Sequence, residues 1–137
     1  NPRRVTNGVD SSRVAMILAI LERRAGVKVS DKDVYVSTVG GVRLIEPAAD
    51  LAIAVAVASA MHDFAVPHEV AAVGELSLAG EIRPVTMAGQ RSGEAKRLGY
   101  TILVDADAVT LSPAINQIKA LAARAAGHAK LRDVPEF

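Results

Sequence analysis

The sequence contains no cysteine and no tryptophan, and it has only two phenylalanines and two tyrosines among its 137 residues. The absence of thiols excludes disulfides, cysteine-based zinc sites and thiol catalysis. The three histidines, at positions 62, 68 and 128, lack the spacing of metal ligands. We therefore expect no metal and no other cofactor in this chain. The scarcity of aromatic rings also leaves little surface on which nucleic-acid bases could stack.

Long hydrophobic runs are also missing. The most apolar stretch, residues 51–61, is rich in alanine and much shorter than the ~20 residues that span a bilayer. It predicts a buried helix, and no secretory leader opens the chain. We therefore expect a cytoplasmic protein with no membrane partner. Because the chain begins at Asn1 rather than methionine, we also expect it to be a piece of a longer protein.

The composition is that of a folded domain. Apolar residues make up 50% of the chain and charged residues 23%, which is enough to build one hydrophobic core. A length of 137 residues leaves no room for a second sizeable domain. The sequence therefore predicts a single folded unit.

The net charge of +1 hides three blocks of charge. Residues 1–30 carry a net +4, residues 44–81 a net −6 with no lysine or arginine, and residues 82–100 a net +3. Two interpretations remain open. The blocks can pair within the fold, or they can join neighbouring copies and present a basic face to phosphate.

Hydrophobic periodicity and turn residues predict alternating helices and strands. We expect helices at 13–25, 48–61, 90–98 and 112–126, with Gly26, Gly99 and Gly127 ending three of them. We expect strands at 34–39, 42–45 and 101–104, and a hairpin of 71–78 with 81–85. The pattern indicates a mixed α/β domain, of the α+β type with a mixed sheet, rather than a doubly wound parallel sheet.

Few residues suit familiar catalytic chemistry. No P-loop is present, so ATP is not bound in that way. None of the histidines sits where a Ser-His-Asp triad would orient a base, and Gly40-Gly41 is interpreted as a bend between strands. Glu46 and Asp50, one helical turn apart, could share a proton or bind a cation. Stabilisation of the helix start is the favoured interpretation of both carboxylates.

Three sequence runs carry a resemblance to a known family. They are Gly-Gly-Val-Arg at 40–43, Glu-Pro-Ala-Ala-Asp-Leu-Ala at 46–52 and Gly-Glu-Leu-Ser-Leu-Ala-Gly-Glu-Ile-Arg-Pro-Val at 74–85. Together they resemble the carboxy-terminal domain of bacterial RadA (Sms) proteins. A competence protein related to magnesium chelatases shares the hairpin pattern, but the run at 46–52 favours RadA. The resemblance implies a Lon-protease-like domain over 1–137, of the ribosomal protein S5 domain 2-like fold, with the basic segment 1–12 leading into it.

The resemblance also implies that peptidase chemistry has been lost. Lon-type proteases carry Gly-Pro-Ser-Ala-Gly where this chain resembles them at residues 46–50, which places Ala48 at the nucleophile position. The lysine that activates the serine corresponds to Gly89. An alanine has no nucleophilic atom and a glycine no base. Ser77, Ser37 and Thr38 are the alternative nucleophiles, but no lysine accompanies them in a matching motif.

The resemblance implies that this domain acts as a scaffold for a hexameric ring and a platform for DNA. The resemblance implies upstream zinc-binding and RecA-like ATPase domains that are absent from this chain, so ATP, Mg and Zn would belong there. The parent protein would be an ATP-dependent DNA helicase or translocase that drives branch migration in recombinational repair. Its expected partners are single-stranded or branched DNA, further copies of itself and a RecA-type recombinase.

Basic side chains in the two positive blocks, or beside the Gly-Gly bend, are the candidate DNA contacts. They are Arg3, Arg4, Arg13, Arg43, Arg83, Arg91, Lys96 and Arg97. Arg23 and Arg24 suit a neighbouring subunit equally well. Two alternatives remain open: a module that only assembles, without touching DNA, and a residual serine peptidase.

Overall fold

The computed structural model describes residues 1–132, which form four helices and six short strands. The helices are α1 (Ser11–Ala25), α2 (Asp50–His62), α3 (Ala88–Arg97) and α4 (Leu111–Arg132). The strands are β1 (Arg4–Asn7), β2 (Val34–Ser37), β3 (Val70–Ala72), β4 (Glu75–Leu76), β5 (Ile82–Arg83) and β6 (Ile102–Val104). Short 3-10 turns lie at Val39–Gly41, Pro47–Ala49 and Ala106–Ala108.

Local signals define α1. The Asp10 side chain accepts a hydrogen bond from the backbone N–H of Ser12, and Gly26 ends the helix in the left-handed conformation with φ of 68°. The apolar face of α1, which includes Ile17 and Leu21, is buried in the core. The predicted helix at 13–25 is therefore confirmed, with its start two residues earlier.

Helix α2 lies at the centre of the domain. It packs against α1, α4, β3 and β4, and buried side chains such as Leu51, Ile53 and Val55 line most of its surface. The alanines at 52, 56 and 60 are its exposed positions along one side. The predicted central helix is confirmed, and a 3-10 turn at Pro47–Ala49 leads into it.

The strands form three pairs. β1 runs parallel to β2, β3 runs parallel to β6, and β4 pairs antiparallel with β5. This mixture confirms the expected α/β class with at least one antiparallel pair. The hairpin is shorter than predicted, because residues 71–78 divide into β3 and β4 at Val73 and Gly74. At Gly74 a Cβ would lie 2.5 Å from a methyl group of Ile82, so a larger residue there would displace the Ile82 side chain.

Two expected boundaries were wrong, namely a strand at 42–45 and the end of the last helix at Gly127. Residues 42–45 form no strand beyond a single bridge, in which Leu44 donates a hydrogen bond to the Gly8 carbonyl. Gly40 and Gly41 both have positive φ, and they turn the chain away from β2 before a ladder can form. Gly127 does not end α4, which continues to Arg132. A glycine inside a helix costs only about 1 kcal/mol relative to alanine, so it need not stop one.

Helix α3 differs from the others because none of its residues is buried. It follows Met87, which takes the left-handed conformation, and ends before Gly99, which has φ of 96°. The predicted helix at 90–98 is thus confirmed, with boundaries shifted towards the amino terminus. Among residues 1–132, no helix combines the length and apolar character of a membrane-spanning segment.

Candidate nucleic-acid interface around the Ala48 cleft

Ala48 lies in the wall of a surface cleft of about 420 Å³ in front of α2. Its carbonyl accepts a hydrogen bond from the Gly74 N–H, which fixes the turn against the start of β4. We call this depression the Ala48 cleft. It is lined by residues 43–46, Ala48, Ala49, Ala52, Ala72, Val73 and Arg91.

Neither position expected to carry a degenerate dyad offers reactive chemistry. Ala48 contributes a methyl group that is only 9% exposed. Gly89 lies in the first turn of α3 with open space around its Cα, and it is not among the residues that line the cleft. Position 48 therefore offers no hydroxyl and position 89 no amine.

A second cleft, of about 670 Å³, adjoins the first. We call it the Asp10 cleft. Besides Asp10, it is lined by residues 7–9, Arg13, Gly41 and residues 43–45. Residues 43–45 thus form a wall that both clefts share. Three of the eight candidate DNA contacts, Arg13, Arg43 and Arg91, lie around these two clefts.

Arg13 is held by a buried carboxylate. Its Nε lies 2.5 Å from Asp50 Oδ1 and its Nη2 lies 2.6 Å from Asp50 Oδ2, and Asp50 is fully buried. Asp50 also accepts a hydrogen bond of 3.1 Å from the Leu76 N–H. These bonds to Asp50 raise the pKa of Arg13 above its ordinary value, so it stays charged. Through Asp50, Arg13 therefore links α1 to α2 and to the hairpin. Its guanidinium group is already engaged within the fold.

Arg91 forms a more accessible pair across the Ala48 cleft. Its Nη2 lies 2.6 Å from Glu46 Oε2, and its Nε donates to the Thr86 carbonyl at 3.0 Å. The side chains of Arg91 and Glu46 are 34% and 63% exposed. The two carboxylates that we expected to stabilise the helix start are therefore counter-ions of arginines. The residue at the N-terminal cap of α2 is Ala49, which makes no side-chain capping bond.

Arg43 is the exposed cation between these two pairs. Within the described residues its guanidinium makes no hydrogen bond and no ion pair, and it lines both clefts. Carboxylates pair directly with Arg13 and Arg91, so Arg43 is the arginine around the two clefts that makes no ion pair within the described residues. The geometry thus separates one available arginine from two occupied ones.

The other five candidates do not line the two clefts. Arg4 donates to carbonyls of the segment 29–32 and so ties β1 to the end of the α1–β2 connection. Arg97 pairs with Glu94 one turn away on α3, which lowers the pKa of Glu94. Arg3, Arg83 and Lys96 are exposed.

The alternative nucleophiles have ordinary structural partners. Ser77 Oγ accepts a bond of 3.1 Å from the Glu81 N–H, Ser37 donates to the Thr38 carbonyl, and Thr38 donates to the Val42 carbonyl. Within residues 1–128, no serine or threonine hydroxyl is hydrogen-bonded to a lysine amine. Lys119 lies instead 2.5 Å from His62 Nδ1.

The sequence analysis did not predict that Glu46 and Asp50 pair with arginines. The blocks of opposite charge were the feature of the sequence that could have indicated it. Glu46 and Asp50 both belong to the acidic block, and their partners belong to the two basic blocks. The interpretation in which blocks pair within the fold is therefore correct at these two places. The part of the chain that the structure describes contains no group of three potential metal ligands.

Comparison with known proteins agrees with the resemblance found in the sequence. Residues 9–108 match a family described as "Subunit ChlI of Mg-chelatase". DNA repair protein RadA of Mycolicibacterium smegmatis is 50% identical over 113 residues, which cover 82% of this chain and 24% of that protein. RadA of Pseudomonas aeruginosa is 45% identical over 100 residues, 73% of this chain and 22% of that protein.

This chain thus spans about a quarter of the length of these relatives. The identity to proteins named RadA supports the choice of RadA that the run at 46–52 favoured. The chain therefore belongs to the family described as subunit ChlI of Mg-chelatase, as a domain of the kind found in bacterial DNA repair proteins named RadA.

Proposed function

We propose that this domain is the non-proteolytic, DNA-binding scaffold of a RadA-type protein of recombinational repair in the cytoplasm. It binds single-stranded or branched DNA and helps to assemble a hexameric ring. ATP hydrolysis, with its Mg, and any Zn site belong to the zinc-binding and RecA-like segments of the longer protein, which drives branch migration beside a RecA-type recombinase. The family membership and the relatives named DNA repair protein support this proposal.

The observation that carries the DNA-binding proposal is the position of Arg43. It lies in the wall shared by two adjoining clefts, with Arg13 on one side and Arg91 on the other. The guanidinium groups of Arg43 and Arg91, which no buried carboxylate holds, suit contact with the phosphates of a nucleic-acid strand. Because aromatic residues are scarce, binding is directed at the sugar-phosphate backbone, tolerates many sequences and weakens with salt.

The residues at positions 48 and 89 support the proposed loss of peptidase activity. An acyl-enzyme route needs a nucleophile and a base, and Ala48 and Gly89 supply neither. The hydroxyls of Ser77, Ser37 and Thr38 bond to backbone groups rather than to an amine. The purified chain is therefore expected to leave an unfolded protein such as casein intact, and cleavage abolished by Ser77→Ala would refute this.

The DNA-binding proposal is tested by fluorescence anisotropy with labelled oligo(dT) at low and moderate salt. Arg43→Ala should weaken binding about tenfold and reduce the salt slope by about one contact. Arg23→Ala removes the same charge from an exposed position on α1 outside both clefts, and is the matched control. Equal effects of the two variants would show that only the net charge of the domain matters. That result would contradict direct contact between DNA and Arg43.

Assembly without DNA contact is the second candidate, and exposed apolar side chains favour it. Val39, Val42 and Ile45 are 93%, 55% and 80% exposed beside the clefts, and α3 buries none of its residues. Such surfaces are typical of contacts with another subunit. Light scattering of the chain tests self-association. Self-association together with no DNA binding at either salt concentration would leave assembly as the only function.

A further inference from the structure

The Ala48 cleft has a property that binding along arginines alone does not use, namely its open volume. Its volume of about 420 Å³ lies within the range of about 300–1,000 Å³ that is usual for small-molecule sites. The flat backbone contact expected of a scaffold would need no cavity. The cleft therefore has room for a chemical group attached to a phosphate, in addition to the phosphate itself.

The lining of the cleft combines charged side chains with apolar ones. Arg43, Glu46 and Arg91 supply the charge, and Arg91 with Glu46 forms one ion pair, so the set carries a net +1. The apolar lining comes from the alanines at 48, 49, 52 and 72 together with Leu44, Ile45 and Val73. A guanidinium group beside an apolar hollow is complementary to a phosphate with its attached sugar and base.

We propose that the Ala48 cleft is a subsite for one nucleotide unit of single-stranded DNA. Arg43 and Arg91 contact its phosphate, and the alanine-lined hollow receives its sugar and base. The inference rests on the proposed function, since it assumes that DNA reaches this surface. It goes further because it predicts a preference for single strands: in a duplex, pairing and stacking hold each nucleotide in place, and extruding one costs free energy.

The hollow without aromatic rings also determines how the nucleotide is recognised. Alanine methyl groups offer van der Waals contact but no hydrogen bonds to base edges and no ring for stacking. The subsite should therefore accept any base. A residue that fills the hollow should block it without altering the charge of the surface.

Position 52 allows that test without threatening the fold. Ala52 is exposed on α2 and lines the Ala48 cleft, whereas Ala60 is exposed two turns later on the same helix and lies outside the cleft. Leucine is a good helix former, so both Ala52→Leu and Ala60→Leu should retain the helix. The two variants add the same side chain, one inside and one outside the proposed subsite. Circular dichroism and thermal melting verify that each is folded.

Anisotropy titrations with oligo(dT) and with a blunt duplex of equal length measure the effect. Ala52→Leu is expected to weaken oligo(dT) binding about tenfold and duplex binding less than twofold, while Ala60→Leu changes neither. An unchanged oligo(dT) affinity in Ala52→Leu, with Arg43→Ala still weakened, would overturn the subsite and leave the DNA-binding proposal standing. Equal weakening for single strand and duplex would overturn the strand preference. Failure of the unaltered chain to bind any DNA would refute the proposed function itself.

A direct measurement uses alanine methyl groups labelled with ¹³C in the unaltered chain. Titration with the dinucleotide dTpdT should shift the methyl resonances of Ala48, Ala49, Ala52 and Ala72, but not that of Ala60. Absence of these shifts, or shifts centred on Ala60, would overturn the proposal. Shifts at the cleft with an acidic peptide and none with dTpdT would also overturn it, because the cleft would then recognise peptide carboxylates.

Discussion

Two arginine–carboxylate pairs flank the beginning of α2, and their surroundings give them different roles. Asp50 is fully buried and bonds to Arg13 through both of its oxygens, whereas Glu46 is 63% exposed and bonds to one nitrogen of Arg91. A buried pair is costly to break, because the remaining charge loses its partner away from water. An exposed pair is worth little to stability and can be exchanged for a ligand. Both arginines looked like DNA contacts in the sequence, but only Arg91 can easily change partners.

The largest expected effect comes from breaking the buried pair. Arg13→Ala leaves the Asp50 carboxylate without its counter-ion and should lower the free energy of unfolding by about 3–5 kcal/mol. Urea denaturation measures it, with Arg91→Ala as the matched variant, which should lose no more than about 1 kcal/mol. Equal losses in the two variants would mean that burial does not distinguish the pairs.

Breaking the exposed pair should change the affinity for DNA more than the free energy of unfolding. Arg91→Ala removes one of the two cations beside the Ala48 cleft and should weaken oligo(dT) binding about fivefold at low salt. The difference should shrink as salt rises, because releasing a counterion into more concentrated salt gains less free energy. Anisotropy at several salt concentrations provides the measurement. An unchanged affinity would show that Glu46 retains Arg91 when DNA is present.

Removing the carboxylate from the exposed pair should have a smaller effect of opposite sign. Glu46→Gln frees Arg91 and raises the net charge at the cleft, so oligo(dT) affinity should rise about twofold to threefold. Glu81→Gln removes the same charge from an exposed position outside both clefts and serves as its control. If the control strengthens binding equally, the gain reflects overall charge and not the release of Arg91.

The smallest expected effect concerns the start of α1, near Arg13. A hydrogen bond from the Ser12 hydroxyl holds the pKa of Asp10 below its ordinary value. Because this pKa is lower in the folded state, Asp10 contributes stability above its ordinary pKa, and that contribution is lost as pH falls through the folded value. Unfolding of Asp10→Asn should therefore depend less steeply on pH between about 5 and 3 than unfolding of the unaltered chain. Identical pH profiles would contradict this sign.

Much of the fold could be predicted because its signals are local. A capping aspartate, a helical apolar period and a left-handed glycine lie within a single segment at α1, and the glycine turn of the hairpin lies between β4 and β5. Predictions failed where a local signal was weak or ambiguous. Gly127 can occur inside a helix as well as after one, and the β-rich residues 42–45 depend on where Gly40 and Gly41 direct the chain.

The candidate site was less accessible to prediction, because its decisive contacts join distant parts of the chain. Arg13 meets Asp50 across 37 positions, and Arg91 meets Glu46 across 45. The charge blocks indicated that unlike segments would attract each other. They did not indicate which side chains would meet, or which of them would be buried.

The sequence by itself determined the family, the positions of most helices and the absence of a hydroxyl at 48 and an amine at 89, because each depends on residue identity or short-range order. Only the tertiary structure decided that Arg13 is held by a buried carboxylate, that Arg91 is held by an exposed one and that Arg43 has neither. Burial and pairing arise from packing between distant segments, and the free energy of a charge depends on that packing more than on the residue type.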